Sequence, residues 1–137
     1  MNKVFLFGIL LIIAHTSFAA NSISGSPQSF EQAFESLLKS DGAVAEEWDI
    51  EIGKRIKTHP TNFLKALKLY RGKVKRLDAL VGNLGPEYVD DFHRQKIELQ
   101  KRVNSLSSVK DNALKSLANE CVSELNKQIK VVSGSES

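Results

Sequence analysis

The chain has 137 residues, with 19 Lys/Arg against 16 Asp/Glu, a formal net charge of +3 and 42% hydrophobic residues. That length supports one domain with its own core, and the apolar fraction excludes a chain too polar to fold. A single cysteine, Cys121, excludes an intramolecular disulfide framework, so packing alone must hold the fold.

Residues 1–20, MNKVFLFGILLIIAHTSFAA, carry one basic residue, Lys3, an apolar run from Val4 to Ala14, and small residues at Ala19 and Ala20. This is the pattern of a cleaved secretory signal peptide, and the run is far shorter than the roughly twenty residues of a membrane span. No cysteine lies near the cleavage site to take a lipid. The expectation is an exported, soluble mature chain, periplasmic or secreted, with no transmembrane segment after cleavage. Residues 21–29 read as a flexible lead-in, 30–132 as a single helical domain and 133–137 as a disordered tail.

The first helix has two candidate N-caps, Ser26 before Pro27 and Ser29 three residues ahead of Gln32. Phe30, Ala33, Phe34, Leu37 and Leu38 form its apolar stripe, and Ser40, Asp41 and Gly42 end it. In the next segment, Ala45, Trp48, Ile52 and Ile56 fit a helical face started by Asp41, whereas Trp48, Ile50 and Ile52 alternate as a strand would. A lone strand would have no partner, so residues 46–56 are read as helix, with Gly53 marking an early end or a bend.

Thr58, His59 and Pro60 break the chain and open a third helix, on which Phe63, Ala66, Leu67, Tyr70, Val74, Leu77 and Val81 share one face. Gly82, Asn83, Gly85 and Pro86 read as a stop and a restart. The fourth helix then begins with Pro86, Glu87, Asp90 and Asp91, acids that suit the positive end of the helix dipole. Its stripe is Tyr88/Val89, Phe92, Leu99, Val103 and Leu106, and Asp90–Arg94, Arg94–Glu98 and Glu98–Arg102 form an i, i+4 charge ladder. Ser108 or Asp111 caps a fifth helix with the stripe Leu114, Leu117, Ala118, Cys121, Leu125 and Ile129. The fold class is all-α, a compact bundle of about five helices, with a short superhelical stack of helix pairs as the alternative.

Chemistry-bearing constellations are sparse. His59 and His93 have no partner at metal-ligand or triad spacing, and the acid pairs Glu46–Glu47, Asp49–Glu51 and Asp90–Asp91 read as solvated helix starts and faces. Cys121 lies within an apolar stripe, where burial raises a thiol's pKa instead of activating it. The minority reading of Cys121 is an intermolecular disulfide at an exposed dimer contact. No catalytic residue, cofactor or metal is expected.

The remaining signal is charge. Lys54, Arg55, Lys57, Lys65, Lys68, Arg71, Lys73, Lys75 and Arg76 fall in a stretch without a single acid, whereas residues 31–51 carry seven acids against Lys39 alone. On a continuous helix, Lys65–Lys68, Lys68–Arg71, Lys73–Arg76 and Arg71–Lys75 are like-charged neighbours, costing together on the order of 1–2 kcal/mol. Either the acidic first two helices neutralise this basic face internally, or an acidic partner or an anionic envelope surface does so from outside. Nucleic acid is not an expected partner, because Tyr70 lies on the core side and is unavailable for base stacking.

Size, export and helix content resemble those of small periplasmic chaperones and immunity proteins, although the duplicated Leu-Thr-x-x-Gln motif of the former is absent. The expectation is an exported, non-enzymatic helical protein that binds a partner protein, in an inhibitor, immunity or chaperone-like role, through charged helix faces. The alternatives are a peripheral binder of anionic lipid or lipopolysaccharide, and a hydrolytic enzyme whose site is assembled from distant residues. The hydrolase reading requires a concave pocket holding a pKa-perturbed group.

Overall fold

The computed structural model describes residues 29–135, so the expected signal peptide, Ser26 and most of the expected lead-in lie outside the described residues. Six α-helices follow in order: α1 Phe30–Lys39, α2 Gly42–Ile56, α3 Pro60–Tyr70, α4 Leu77–Gly82, α5 Phe92–Ser107 and α6 Lys115–Gly134. Short 3-10 turns at Pro86–Tyr88 and Asn112–Leu114 precede α5 and α6, and no strand occurs among the described residues. The all-α bundle is therefore the observed architecture, with residues 46–56 helical.

Each helix end has a local cause. Ser29 and Gln32 form the reciprocal capping box that starts α1: Gln32 N donates to Ser29 Oγ, and Ser29 N donates to Gln32 Oε1. Asp41 occupies the N-cap position of α2 but makes no side-chain cap bond. Asp91 accepts from Arg94 N at 2.9 Å and starts α5, so the restart at Pro86 is only a 3-10 turn and the helix proper begins six residues later. Asp111 caps the turn at Asn112–Leu114 through Ala113 N. Ser133 and Gly134, placed in the disordered tail on sequence grounds, belong to α6.

The main departure is that the single helix expected from Pro60 to beyond Val81 breaks after Tyr70 and resumes at Leu77. Two costs converge on the break. Gly72 is unfavourable in a helix by about 1 kcal/mol relative to Ala, and continuing the helix would stack Arg71 on Lys75 and Lys73 on Arg76. Val74, Leu77 and Val81 are nevertheless buried, so the apolar spacing reports burial faithfully while the backbone between turns aside.

Phe30 and Phe34 of α1 meet Phe63 of α3 with ring centroids 6.0 and 6.2 Å apart, and Tyr70 stacks on Phe34 at 5.5 Å. The guanidinium of Arg55 covers the Phe30 ring at 4.0 Å. α5 and α6 pack extensively on one another, and the short α4 is held between α2 and α6. Cys121 is fully buried and burial pushes its thiol up to about 12, in keeping with its place in the stripe. By contrast Val89 and Phe92, expected in the α5 stripe, are 62% and 40% exposed, because they precede or begin the helix instead of lying within it.

Arg102 overturns a further expectation. It does not lie on a solvated charge ladder: it is 2% exposed and donates through Nη1 to the carbonyls of Val81 and Asn83 at the C-terminal end of α4. Burial lowers its pKa to about 10, so it remains charged at neutral pH. Glu98 pairs instead with Lys101 and with Lys57, just past the end of α2, and Arg94 with Asp91. Gly53 is where α2 makes room for the guanidinium: a Cβ there would sit 2.7 Å from Arg102 Nη1 and 3.1 Å from Leu80 O. Gly82 does the same for Gln128, whose amide donates to Asp78 O at 2.6 Å.

An ordinary Gly→Ala change inside a helix adds about 1 kcal/mol of stability. Gly53→Ala is expected to lose about 1–3 kcal/mol instead, because the pinned guanidinium cannot retreat without leaving two buried carbonyls unpaired. In an Arg102→Met background the loss should shrink by about 1 kcal/mol or more. Urea denaturation of the four proteins in this cycle measures the coupling, and equal costs in both backgrounds would exclude it.

Candidate functional site

The nine basic residues have different fates. Lys54 lies 3.7 Å from Glu87, Lys57 reaches Glu98 at 2.7 Å, and Arg76 holds Asp78 at 2.8 Å. Arg71 binds Glu120 of α6, its Nε donating to Oε1 at 3.1 Å, and Arg55 is spread over Phe30. These contacts show in the acids' chemistry: the hydrogen bond from Arg76 lowers the Asp78 pKa, that from Arg71 lowers Glu120, and those from Lys101 and Lys57 lower Glu98.

No acid of the 31–51 stretch takes part in an ion pair within 4.0 Å among the described residues. Internal neutralisation by the first two helices, one of the two alternatives, therefore does not form as ion pairs among the described residues. The acids that pair with the basic stretch come from its immediate C-terminal neighbour, Asp78, and from Glu87, Glu98 and Glu120.

What remains is a smaller basic surface. Lys65, Lys68, Lys73 and Lys75 are exposed and make no ion pair among the described residues. Lys65 and Lys68 flank Leu69 on the outer side of α3, and Leu69 is 71% exposed. The buried side of the same helix is Phe63, Leu64, Ala66 and Leu67. Glu31, Asp41, Glu46 and Glu47 are exposed on α1 and the start of α2, and Glu31 lines one shallow hollow together with Lys65. Acids and lysines therefore both reach the surface here without forming ion pairs to one another among the described residues.

Beside Lys73 and Lys75, a cleft of about 240 Å³ opens between α1, α2 and the 71–76 connection. Its apolar lining comes from Leu37, Leu38, Ala45 and Val74, and Ser40, Asp49 and Arg76 complete it. Asp49 was expected on a solvated face, but it is half-buried and makes no hydrogen bond or ion pair among the described residues. Burial raises its pKa to about 6, against the pull of Arg76 and with smaller upward pushes from Asp78 and Glu46. No local pattern signals this, since Asp49 stands in a strongly polar run.

The other titratable groups are placed plainly. His59 is exposed at the N-cap of α3 with Nδ1 2.8 Å from Thr58 Oγ1, and His93 is exposed on α5. Tyr70 is half-buried against Phe34, and its hydroxyl donates to Glu35 at 3.3 Å. Among the described residues no three His, Cys, Asp or Glu side chains gather to hold a metal ion, and no helix is long and apolar enough to cross a membrane. No family model, curated protein or solved structure matches the chain.

Because its pKa is raised on folding, Asp49 binds a proton more tightly in the native state than in the unfolded one. Its contribution to stability therefore falls as pH rises from the usual carboxylate value toward about 6, and stays unfavourable above that. Asp49→Asn should raise stability at about pH 7.5 by about 1 kcal/mol, after discounting for half-exposure, and give no gain near pH 4. Thermal melts at the two pH values read this directly.

Proposed function

We propose that the chain is an exported, non-enzymatic helical protein that binds an acidic partner protein through the outer face of α3 and the 71–76 connection. The observation that carries this is the set of four lysines, Lys65, Lys68, Lys73 and Lys75, left exposed and without ion pairs among the described residues, with the exposed Leu69 on the same helix as the first two. Lys65 and Lys68, like charges three residues apart on α3, are unfavourable by tenths of a kcal/mol, and no ion pair among the described residues offsets them. An acidic partner surface would, and the exposed Leu69 next to Lys68 gives such a contact something to bury.

Hydrolysis is the second reading, and Asp49 is the observation that favours it: a raised carboxyl near the ionised Asp78 resembles the separated pKa values of an acid/base pair. The cleft volume weighs against it, since about 240 Å³ is below the roughly 300–1,000 Å³ of substrate clefts, and Asp78 lies outside the lining. A panel of ester, glycoside and peptide substrates on which the protein turns over and Asp49→Asn does not would establish it.

The binding reading is tested with a variant carrying Glu at 65, 68, 73 and 75. These side chains make no ion pairs among the described residues, so its melting temperature should stay close to that of the parent. Capture of the native partner at low salt should fall by about 100-fold or more, and capture by the parent should weaken as salt is raised through about 150 mM. Undiminished capture by the variant sinks the proposal. Sedimentation of the parent with anionic vesicles, without a protein partner, would favour lipid attachment instead.

A further inference from the structure

The cleft beside the lysine face has a mixed lining that is specific in its chemistry. Leu38, which is 37% exposed, and the part-exposed Ala45 supply an apolar surface open to the outside, with the buried Val74 beneath. Lys73 and Lys75 line the cleft without ion pairs among the described residues, whereas Arg76 is already held by Asp78. Asp49 reaches the cleft with a half-buried carboxylate that receives no donor from the described residues.

We infer that this cleft is an anchor pocket for one apolar side chain carried on an acidic polypeptide segment, with Asp49 accepting a backbone N–H and Lys73 and Lys75 taking the flanking carboxylates. The inference rests on the proposed partner-binding face and names what that face selects. Three features fix the occupant. The cleft, at about 240 Å³, is smaller than the roughly 300–1,000 Å³ that small-molecule ligands occupy, and is of a size for a side chain. Its lysine wall asks for negative charge on the ligand. A fatty acid would meet both conditions, but its ionised headgroup offers no donor to Asp49. A polypeptide meets all three, because its backbone carries an N–H beside every side chain it inserts. The carboxylate's position in the free protein agrees with this, since half-burying an ionised group with no donor among the described residues is kept at a cost to stability.

The test uses two labelled peptides, Glu-Asp-Leu-Glu-Asp and its central-serine counterpart, with sodium laurate as a third probe. Binding is read by fluorescence anisotropy at low salt, and the site by amide chemical-shift mapping. The leucine peptide should bind about ten-fold more tightly than the serine peptide, with shifts at Leu38, Ala45 and Asp49. Leu38→Ser and Ala45→Phe should abolish that difference, and their thermal melts report whether each variant folds. A Lys65→Ala, Lys68→Ala variant should weaken both peptides alike and leave their ratio intact.

Equal binding of the two peptides, weakened by the lysine variant, would overturn the pocket while leaving the lysine face in place. Failure of both peptides to bind would overturn both. Displacement of the leucine peptide by laurate at equal or lower concentration would overturn the polypeptide occupant in favour of an amphiphilic anion.

Discussion

A guanidinium buried against the end of a buried helix sets the interior of this protein. α4 is only six residues long and four of them, Leu77, Leu80, Val81 and Gly82, are buried. Its C-terminal carbonyls therefore cannot all turn to water, and each needs a donor from the protein. Arg102 supplies one for Val81 and for Asn83, with the favourable sense of a cation at the negative end of a helix dipole. Gln128 meets the same helix from α6. Two glycines, Gly53 and Gly82, are spent on letting these side chains approach, so α2, α4, α5 and α6 are locked in one relative placement by four residues. A charge without a carboxylate partner is a costly thing to bury. Here its return is specificity of arrangement, because an apolar side chain at 102 would leave the carbonyls of Val81 and Asn83 without their donor.

The charge distribution has a different logic. The exposed ion pairs, such as Lys54–Glu87 and Arg76–Asp78, are each worth at most about 1 kcal/mol. Glu98 is the better-placed acid: its side chain is 14% exposed and it joins Lys57, just past the end of α2, to Lys101 of α5. Such pairs draw on acids outside the 31–51 stretch, which leaves the N-terminal acids and the α3 lysines without ion pairs among the described residues, although Glu31 and Lys65 line one hollow. Exposed charges left over in this way bear on association more than on stability.

Asp49 is the one residue where the interests of folding and of a site diverge. The folded protein holds its carboxyl half-buried in a cleft of mixed lining with no donor among the described residues. Local inconsistency of this kind concentrates where a protein does something besides fold. Lys73, Lys75 and the part-exposed Leu38 line the same cleft, so exposed cations, an open apolar side chain and the raised acid meet there.

Apolar spacing determined the class of the fold and most of the core: Phe34, Ile52, Phe63, Leu67, Val81, Leu99, Cys121 and Leu125 are all buried. The helical state of residues 46–56 followed from the want of a strand partner, and capping chemistry narrowed the start of α1 to Ser26 or Ser29, of which Ser29 makes the capping box. These are local properties, written in side chains three and four residues apart. Only the tertiary structure decided that the third helix breaks at Arg71, that Arg102 turns inward, and that Asp49 lies in a cleft. It also decided that five of the nine basic residues are engaged within the protein while four lysines face solvent. The physical reason is common to all of them: each depends on which distant group arrives alongside. Glu120 meets Arg71 across 49 positions and Arg102 meets Val81 across 21, and no periodicity within a helix carries that information.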